Sequence, residues 1–367
     1  VITNIALIVA VTTAQAAPGG EAENAPAYWA LCGLIRQCEK GFSEPDDKLP
    51  AEALDAYSGI VAGSHLASLN NTFVMDQIQK KADGLLETLQ PMPESKATVQ
   101  LKELMNSTYE EATKIKTAAE TAAKQIANKI QQANELLREA VSGRKDAVDS
   151  DDTAGAYFKG DPNTEVFGNG PSQAHNCGTN GATSSTSKNV GITLINDLIC
   201  VCIRGQAGNE KICLDSPTAT NLGTLTYASA DSAMKAAYVA IMAKCPKATG
   251  QTTAHSLAAA VERYNTQIGG QSTKATSNHE AAAFIVGYAA DPSTGCTGST
   301  SQICINYKLK IGSKDAPGLT WQNKIRQAIA KLEHSSTNAK VGAATTTLMH
   351  INETIWQLYH SAFAQTD

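Results

Sequence analysis

Residues 97–142 contain neither proline nor glycine, and Gly143 follows directly. Within that stretch, positions 101, 105, 108, 112, 115, 119, 122, 126, 129, 133, 136 and 140 are separated by alternating steps of four and three. All but Thr108 and Lys129 carry Leu, Met, Ala or Ile. That is a heptad seam, which lays one long helix against partner helices. At 1.5 Å rise per residue the helix is about 70 Å long. Alanine at 112, 119, 122, 133 and 140 lets the partner approach closely. A helix of this length is architecture, so the rest of the chain must supply what packs on it.

Two other stretches have the right pattern. Pro50 stands where a helix tolerates proline, at its first position, and apolar residues then recur at three- and four-residue steps over 51–90. Gly59, Gly63 and Gly84 weaken that helix, and Asn70-Asn71 loosen its middle. Pro91-Met92-Pro93-Glu94 reads as a tight turn, so 51–90 and 97–142 form a long antiparallel helical hairpin. Residues 321–364 are the third long pattern, softened by Ser335-Ser336-Thr337-Asn338 and Gly342. The expected fold class is mainly α: an elongated helical bundle built on the hairpin.

Between these helices the composition changes. Asp149-Ser-Asp-Asp-Thr, Gly168-Asn-Gly-Pro and Thr183-Ser-Ser-Thr-Ser are turn and loop language. Strands are expected at 190–204 and 303–311, and short helices at 228–244, 253–268 and 279–289. A further amphipathic helix spans 28–41. Residues 143–320 thus read as a loop-rich head lobe with short strands.

Cysteine usage agrees. There are nine, and Cys177, Cys200, Cys202, Cys213, Cys245, Cys296 and Cys304 fall inside that region. Cys32 and Cys38 lie on the 28–41 helix, about 240° apart around its axis, so they cannot bond to each other while helical. Residues 1–17 have an apolar core from Ile5 to Val11 and then Ala14-Gln15-Ala16, the tail of a secretory signal peptide. Disulfides are then expected, with the odd count leaving one thiol free or paired elsewhere.

Net charge is −5 and no Lys/Arg cluster occurs, which argues against nucleic acid as a partner. No later apolar run reaches the ~20 residues of a membrane span. Catalytic and metal signals fail one by one. His279-Glu280 begins like a zinc helix, but position 283 is Ala. Cys200-Val-Cys202 does not have the spacing of a zinc pair. No GxSxG elbow occurs, and Gly168-Asn-Gly170-Pro lacks the rest of a phosphate loop. Neither enzymatic activity nor a cofactor is expected. Three N-glycosylation sequons do occur, at Asn70, Asn106 and Asn352, ranked Asn352, Asn70, Asn106.

The order of elements, with Tyr28-Trp-Ala-Leu-Cys32-Gly-Leu-Ile near the start and Asn352-Glu-Thr-Ile-Trp-Gln-Leu on the last helix, resembles the N-terminal domain of class B trypanosome variant surface glycoproteins. The resemblance implies a single elongated domain over 18–367 that dimerises along its helices. It implies a C-terminal anchor domain, absent from this chain, carrying a glycosylphosphatidylinositol (GPI) anchor on the extracellular face of the plasma membrane. Neighbouring coat molecules and host antibodies are the other implied partners, and antigenic variation the implied purpose. Asn352 looks like the family's low-lying glycan site, and Ser313, Ser293 and Ser299 stand in loops where some members carry O-linked sugar. A Cys32–Cys177 disulfide is also implied. The competing reading is a related receptor for a host serum protein, which would keep a fixed apolar or charged patch on its head. The loops here are mostly Gly, Ser, Thr and Asn.

Overall fold

The computed structural model describes residues 21–44, 47–68, 70, 72, 75–76, 89–149, 152–159, 164–169, 172–179, 188–203, 211–214, 232–271, 275, 278–298, 302–333 and 337–364. The signal-like segment 1–17 lies outside them. Their helices, in chain order, are α1 (Ala25–Lys40), α2 (Ala51–Leu66), α3 (Lys96–Ser142), α4 (Thr164–Phe167), α5 (Gln173–Cys177), α6 (Leu194–Leu198), α7 (Ser232–Met242), α8 (Ala254–Asn265), α9 (Lys308–Ile311), α10 (Thr320–Glu333) and α11 (Thr337–Ala364). A π-helix (Ile199–Ile203), a 3-10 helix (His279–Phe284) and two strands, β1 (Ile285–Ala289) and β2 (Gln302–Asn306), complete the described elements. The fold is mainly helical, as expected. The chain divides into two compact units: Val1–Ser43 with Gln132–Glu333, and Glu44–Gln131 with His334–Asp367.

Helix α3 is one uninterrupted element of 47 residues that runs through both units. Its seam is buried as the heptad requires. Met105, Ala112, Ala119, Ile126, Ala133 and Ala140, spaced by seven, are all buried, while none of the intervening seam positions is exposed. Gly143 stops the helix at a φ of 79°, which a side chain would strain.

The Glu44–Gln131 and His334–Asp367 unit is a three-helix core. Leu49 and, on α2, Ala53, Ala56 and Ile60 pack with Met105, Ala112 and Ala119 of α3 and Leu348, Ile351, Ile355 and Tyr359 of α11. Helices α2 and α11 approach closely because of Gly59 and Gly63, one turn apart. A Cβ at Gly59 would lie 2.2 Å from Asn352 Oδ1, and one at Gly63 would lie 2.1 Å from Ile355 Cγ2. These glycines create the helix contact that their low helix propensity suggests they should weaken. Tyr57 stacks on Tyr109 at 6.4 Å, and its hydroxyl lies 3.0 Å from Thr113 Oγ1. Tyr359 both donates to Gln90 O (2.8 Å) and accepts from Gln90 N (3.1 Å), pinning the turn that precedes α3.

The first arm of the hairpin differs from expectation. Helix α2 ends at Leu66, where Ala67 N bonds Gly63 O; residues 72, 75 and 76 are helical again, so the interruption falls around Asn70, and Leu89 and Gln90 are not helical. Residues 77–88, and Gly84 with them, lie outside the described set. The third long pattern is two helices rather than one: α10 belongs to the first unit and α11 to the second.

Two strand expectations also change. Residues 194–203, rich in Ile and Val, form α6 and the π-helix, not a strand. Thr193 caps α6, its hydroxyl accepting from Asn196 N. Every residue from Leu194 to Ile203 is buried. A short apolar run buried on all sides has no polar face to reveal its period. The reverse happens at 279–289, where the alanines of a short 3-10 helix give way to β1. β1 pairs antiparallel with β2, Ile285 opposite Asn306 and Ala289 opposite Gln302. The strand predicted over 303–311 stops at Asn306, whose Oδ1 accepts from Lys308 N as α9 begins.

Candidate functional sites: sequons and the disulfide-bonded unit

The unit containing Gln132–Glu333 is held by four disulfides: Cys32–Cys245, Cys177–Cys200, Cys202–Cys213 and Cys296–Cys304. The Cys32–Cys177 pairing implied by the family resemblance is therefore not formed. Cys32 on α1 joins the end of α7 instead, and Cys177 takes Cys200. Cys200 and Cys202 lie on a helix rather than on one face of a strand, so they diverge and meet different partners. Cys38 is the free cysteine, buried in α1. It is the one thiol that the odd count of nine leaves over. Burial pushes its thiol well above the ordinary cysteine range.

Buried polar side chains position the segments between the disulfides. Asn24, fully buried, donates to Val201 O (2.8 Å) and Ile303 O (2.9 Å) and accepts from Tyr288 N (2.8 Å). Asn134 on α3 holds both backbone groups of Phe42, accepting from its N–H at 2.8 Å and donating to its C=O at 3.0 Å. The turn this requires puts Gly41 at a φ of 65°, where a Cβ would meet Asn134 Oδ1 at 2.7 Å.

Asp197 is the most buried charge. It accepts from Tyr307 Oη (2.5 Å), Trp321 Nε1 (2.7 Å), Gly191 N (3.2 Å) and Asn196 Nδ2 (3.2 Å). Tyr264 joins through its hydroxyl, 2.5 Å from that of Tyr307. Burial pushes the Asp197 carboxyl up to about 6, although these donors favour the carboxylate. The network ties α6, α8, α10 and the residue after β2 together. Nothing in residue spacing signals it, because Tyr307 and Trp321 lie more than 100 positions from Asp197 in the chain.

The sequons occupy three different settings. Asn352 is half-buried on α11; its Oδ1 accepts from Trp356 Nε1 at 3.1 Å and faces Gly59. Asn70 is exposed just past α2, and its backbone N–H donates to Ser68 Oγ. Asn106 is exposed on α3, and Thr108 of the same sequon bonds Leu104 O within the helix. Among the serines, Ser313 is exposed after α9. Ser293 is half-buried and donates to Asp291 Oδ1 at 2.6 Å. Ser299 lies outside the described residues. Among the described residues no group of three or more His, Cys, Asp and Glu could hold a metal ion. No described helix is long and apolar enough to cross a membrane.

Compared with known proteins, residues 69–350 match a B-type family model described as a trypanosomal VSG domain, VSG being variant surface glycoprotein. The chain belongs to the trypanosomal variant surface glycoprotein family. The match takes in α3, the cysteine-rich part of the chain after it and the first half of α11. The Tyr28-to-Ile35 stretch and Asn352 lie outside it. A relative within the family, variant surface glycoprotein YnAT 1.3 of Trypanosoma congolense, is 30% identical over 221 residues, covering 58% of this chain and 50% of the relative. The chain thus spans about half the length of that curated relative. The family is one of structural surface-coat glycoproteins.

Proposed function

We propose that this chain forms part of a surface-coat glycoprotein that shields a trypanosome membrane and takes part in antigenic variation for immune evasion. The family match carries the reading. The structure suits it physically. Cores held by four disulfides and by buried Asn24, Asn134 and Asp197 leave the exposed loops free to change sequence without losing the fold. The Ala-rich seam of α3 packs its partners tightly, which suits a densely crowded surface. Within this reading the protein sits on the extracellular face of the plasma membrane through a GPI anchor. It pairs with a second copy along its helices, contacts neighbouring coat molecules and meets host antibodies. N-glycans are assigned in order to Asn352, Asn70 and Asn106, and an O-glycan to Ser313 ahead of Ser293 or Ser299.

The test is abundance and release. Surface labelling of intact cells with quantitative mass spectrometry is expected to find the protein as the dominant surface species, freed by a GPI-specific phospholipase. A minor component that retains a host serum protein at stoichiometric yield would overturn the coat reading. Intact mass before and after glycosidase treatment locates the glycans.

A further inference from the structure

Asn352 and Trp356 are four residues apart on α11 and so share one face of the helix. A long side chain on a helix leans over the turn N-terminal to it. Trp356 does so, and its Nε1–H donates to Asn352 Oδ1 at 3.1 Å. Residues of the next turn hold the ring as well. Tyr359 meets it edge to face with centroids 5.7 Å apart, and His360 lies tilted against it at 6.5 Å. Trp356 is nevertheless only half-buried, so part of a large, fixed aromatic surface is left in water beside a sequon. The other end of the Asn352 amide, Nδ2, has no hydrogen-bond partner among the described residues.

We propose that Trp356 is the platform on which the first N-acetylglucosamine of an Asn352 glycan stacks. The inference rests on the reading of Asn352 as a glycan site, and the amide geometry carries it from there. Attachment of sugar turns the side-chain amide into a secondary amide, which is planar and trans. In the trans form the carbon on nitrogen lies on the same side as the carbonyl oxygen. That oxygen is the atom Trp356 holds, so the sugar ring starts beside the indole. Gly59 flanks the same oxygen and has no side chain to obstruct the sugar: a Cβ there would stand 2.2 Å from Oδ1 and 3.4 Å from Nδ2. The chemistry of the two surfaces matches. A pyranose face presents polarised C–H bonds, and the indole face is the negative side of its quadrupole. A free sugar would hold weakly to such an open face, but a tethered one is present at an effective concentration on the order of millimolar. Stacking covers the indole surface that the helices leave in water, and it fixes the direction in which the outer glycan leaves α11.

The test uses the chain secreted with its glycans and then trimmed by endoglycosidase to the first sugar. Glycopeptide mass establishes whether Asn352 is occupied. With tryptophan isotope-labelled, Trp29, Trp321 and Trp356 supply the indole NMR signals, and Thr354→Ala supplies the form without sugar at Asn352. Cross-relaxation is expected between the Trp356 indole and the C–H or N-acetyl methyl protons of the sugar. Only the Trp356 signal is expected to shift between the trimmed parent and Thr354→Ala. In Trp356→Leu, endoglycosidase is expected to release the outer glycan from the folded protein about 2- to 10-fold faster than in the parent, a contact worth about as much as an aromatic pair having been lost. Trp356→Phe keeps a ring face without the indole N–H, and is expected to stay nearer the parent. Circular dichroism checks that both variants fold, and the NMR contact, measured on the parent, decides the matter where one does not. An unoccupied Asn352 overturns the glycan reading and this inference together. An occupied Asn352 whose sugar makes no contact with Trp356 overturns the stacking alone. So does release from Trp356→Phe as fast as from Trp356→Leu, because the N–H bond and not the ring face would then orient the glycan.

Discussion

Gly63→Ala should destabilise the chain even though it replaces a poor helix former with the best one. Alanine gains about 1 kcal/mol over glycine in a helix interior. Against that, its Cβ would sit 2.1 Å from Ile355 Cγ2, far inside contact distance. Ile355 is fully buried and β-branched, so its Cγ2 is fixed to the helix and cannot swing aside. Overpacking of this kind costs about 1–3 kcal/mol, which leaves a net loss of up to about 2 kcal/mol. Gly59→Ala is the control on the same face. Its Cβ would meet Asn352 Oδ1 at 2.2 Å, but that atom ends a half-buried side chain that can rotate. The loss of the Trp356–Asn352 hydrogen bond and the gain in propensity then nearly cancel. Urea unfolding followed by far-UV circular dichroism measures both. The mechanism makes a sharper demand through Ile355→Ala, which alone costs about 2–5 kcal/mol. In the Gly63→Ala background the new methyl occupies vacated space, so the double variant should be about 1–2 kcal/mol more stable than the sum of the singles. The close-contact account is refuted if Gly63→Ala is as benign as Gly59→Ala, or if the two energies simply add.

Cys38 is buried and its thiol is pushed up by burial, so the native protein should not react with a maleimide, while unfolding without reductant should release one reactive thiol. For Asp197 the folded-state pKa of about 6 lies above the ordinary carboxyl value. Its stabilisation is therefore full below pH ~4 and lost as pH rises through 6, and the stability of the parent relative to Asp197→Asn should fall by about 3 kcal/mol from pH 4 to 7. A rising difference in calorimetry across that window would contradict it. Asn134→Ala removes both partners of the Phe42 backbone and should cost about 2–4 kcal/mol in urea unfolding, whereas a loss under 1 kcal/mol would show that water replaces them.

The long helix was readable because its period is unmistakable and its buried positions fall on that period, from Met105 through Ala140. Helix α1 and α8 were readable for the same reason, with Gly41 and the Thr253 capping box as end signals. What failed shares one physical cause: side chains buried on all sides carry no pattern. The run from Leu194 to Ile203 looks like a strand because β-branched residues favour one, yet tertiary burial settles it as helix. The disulfide partners and the Asp197 network depend on contacts between residues distant in sequence, which spacing cannot encode. Gly59 and Gly63 carry a signal, a pair of small residues four apart on a helix, which propensity alone reads as weakness. The sequons are legible as triplets.

Asn352 serves both as a candidate glycan site and as part of the α2–α11 contact, and the two roles can be separated. The side-chain amide has two ends. Oδ1 is held by Trp356 Nε1–H and lies against Gly59, while Nδ2 makes no hydrogen bond to a described residue. A glycan attached at Nδ2 therefore displaces none of the observed hydrogen bonds, and Trp356 sets the direction in which the C–N bond leaves the helix. Asn352→Gln would disturb sugar and packing together, so it cannot tell them apart. Thr354→Ala can, because it destroys the sequon while leaving Asn352, Gly59 and Trp356 in place. Among the described residues the Thr354 hydroxyl bonds only His350 O of its own helix, at 2.9 Å, so its removal should change stability by no more than about 0.5 kcal/mol. The expected result is loss of one glycan mass from the protein expressed in its secretory pathway, with an unchanged unfolding midpoint. Retention of the full mass would remove Asn352 from the glycan sites, and leave its amide explained by the Trp356 and Gly59 contacts alone.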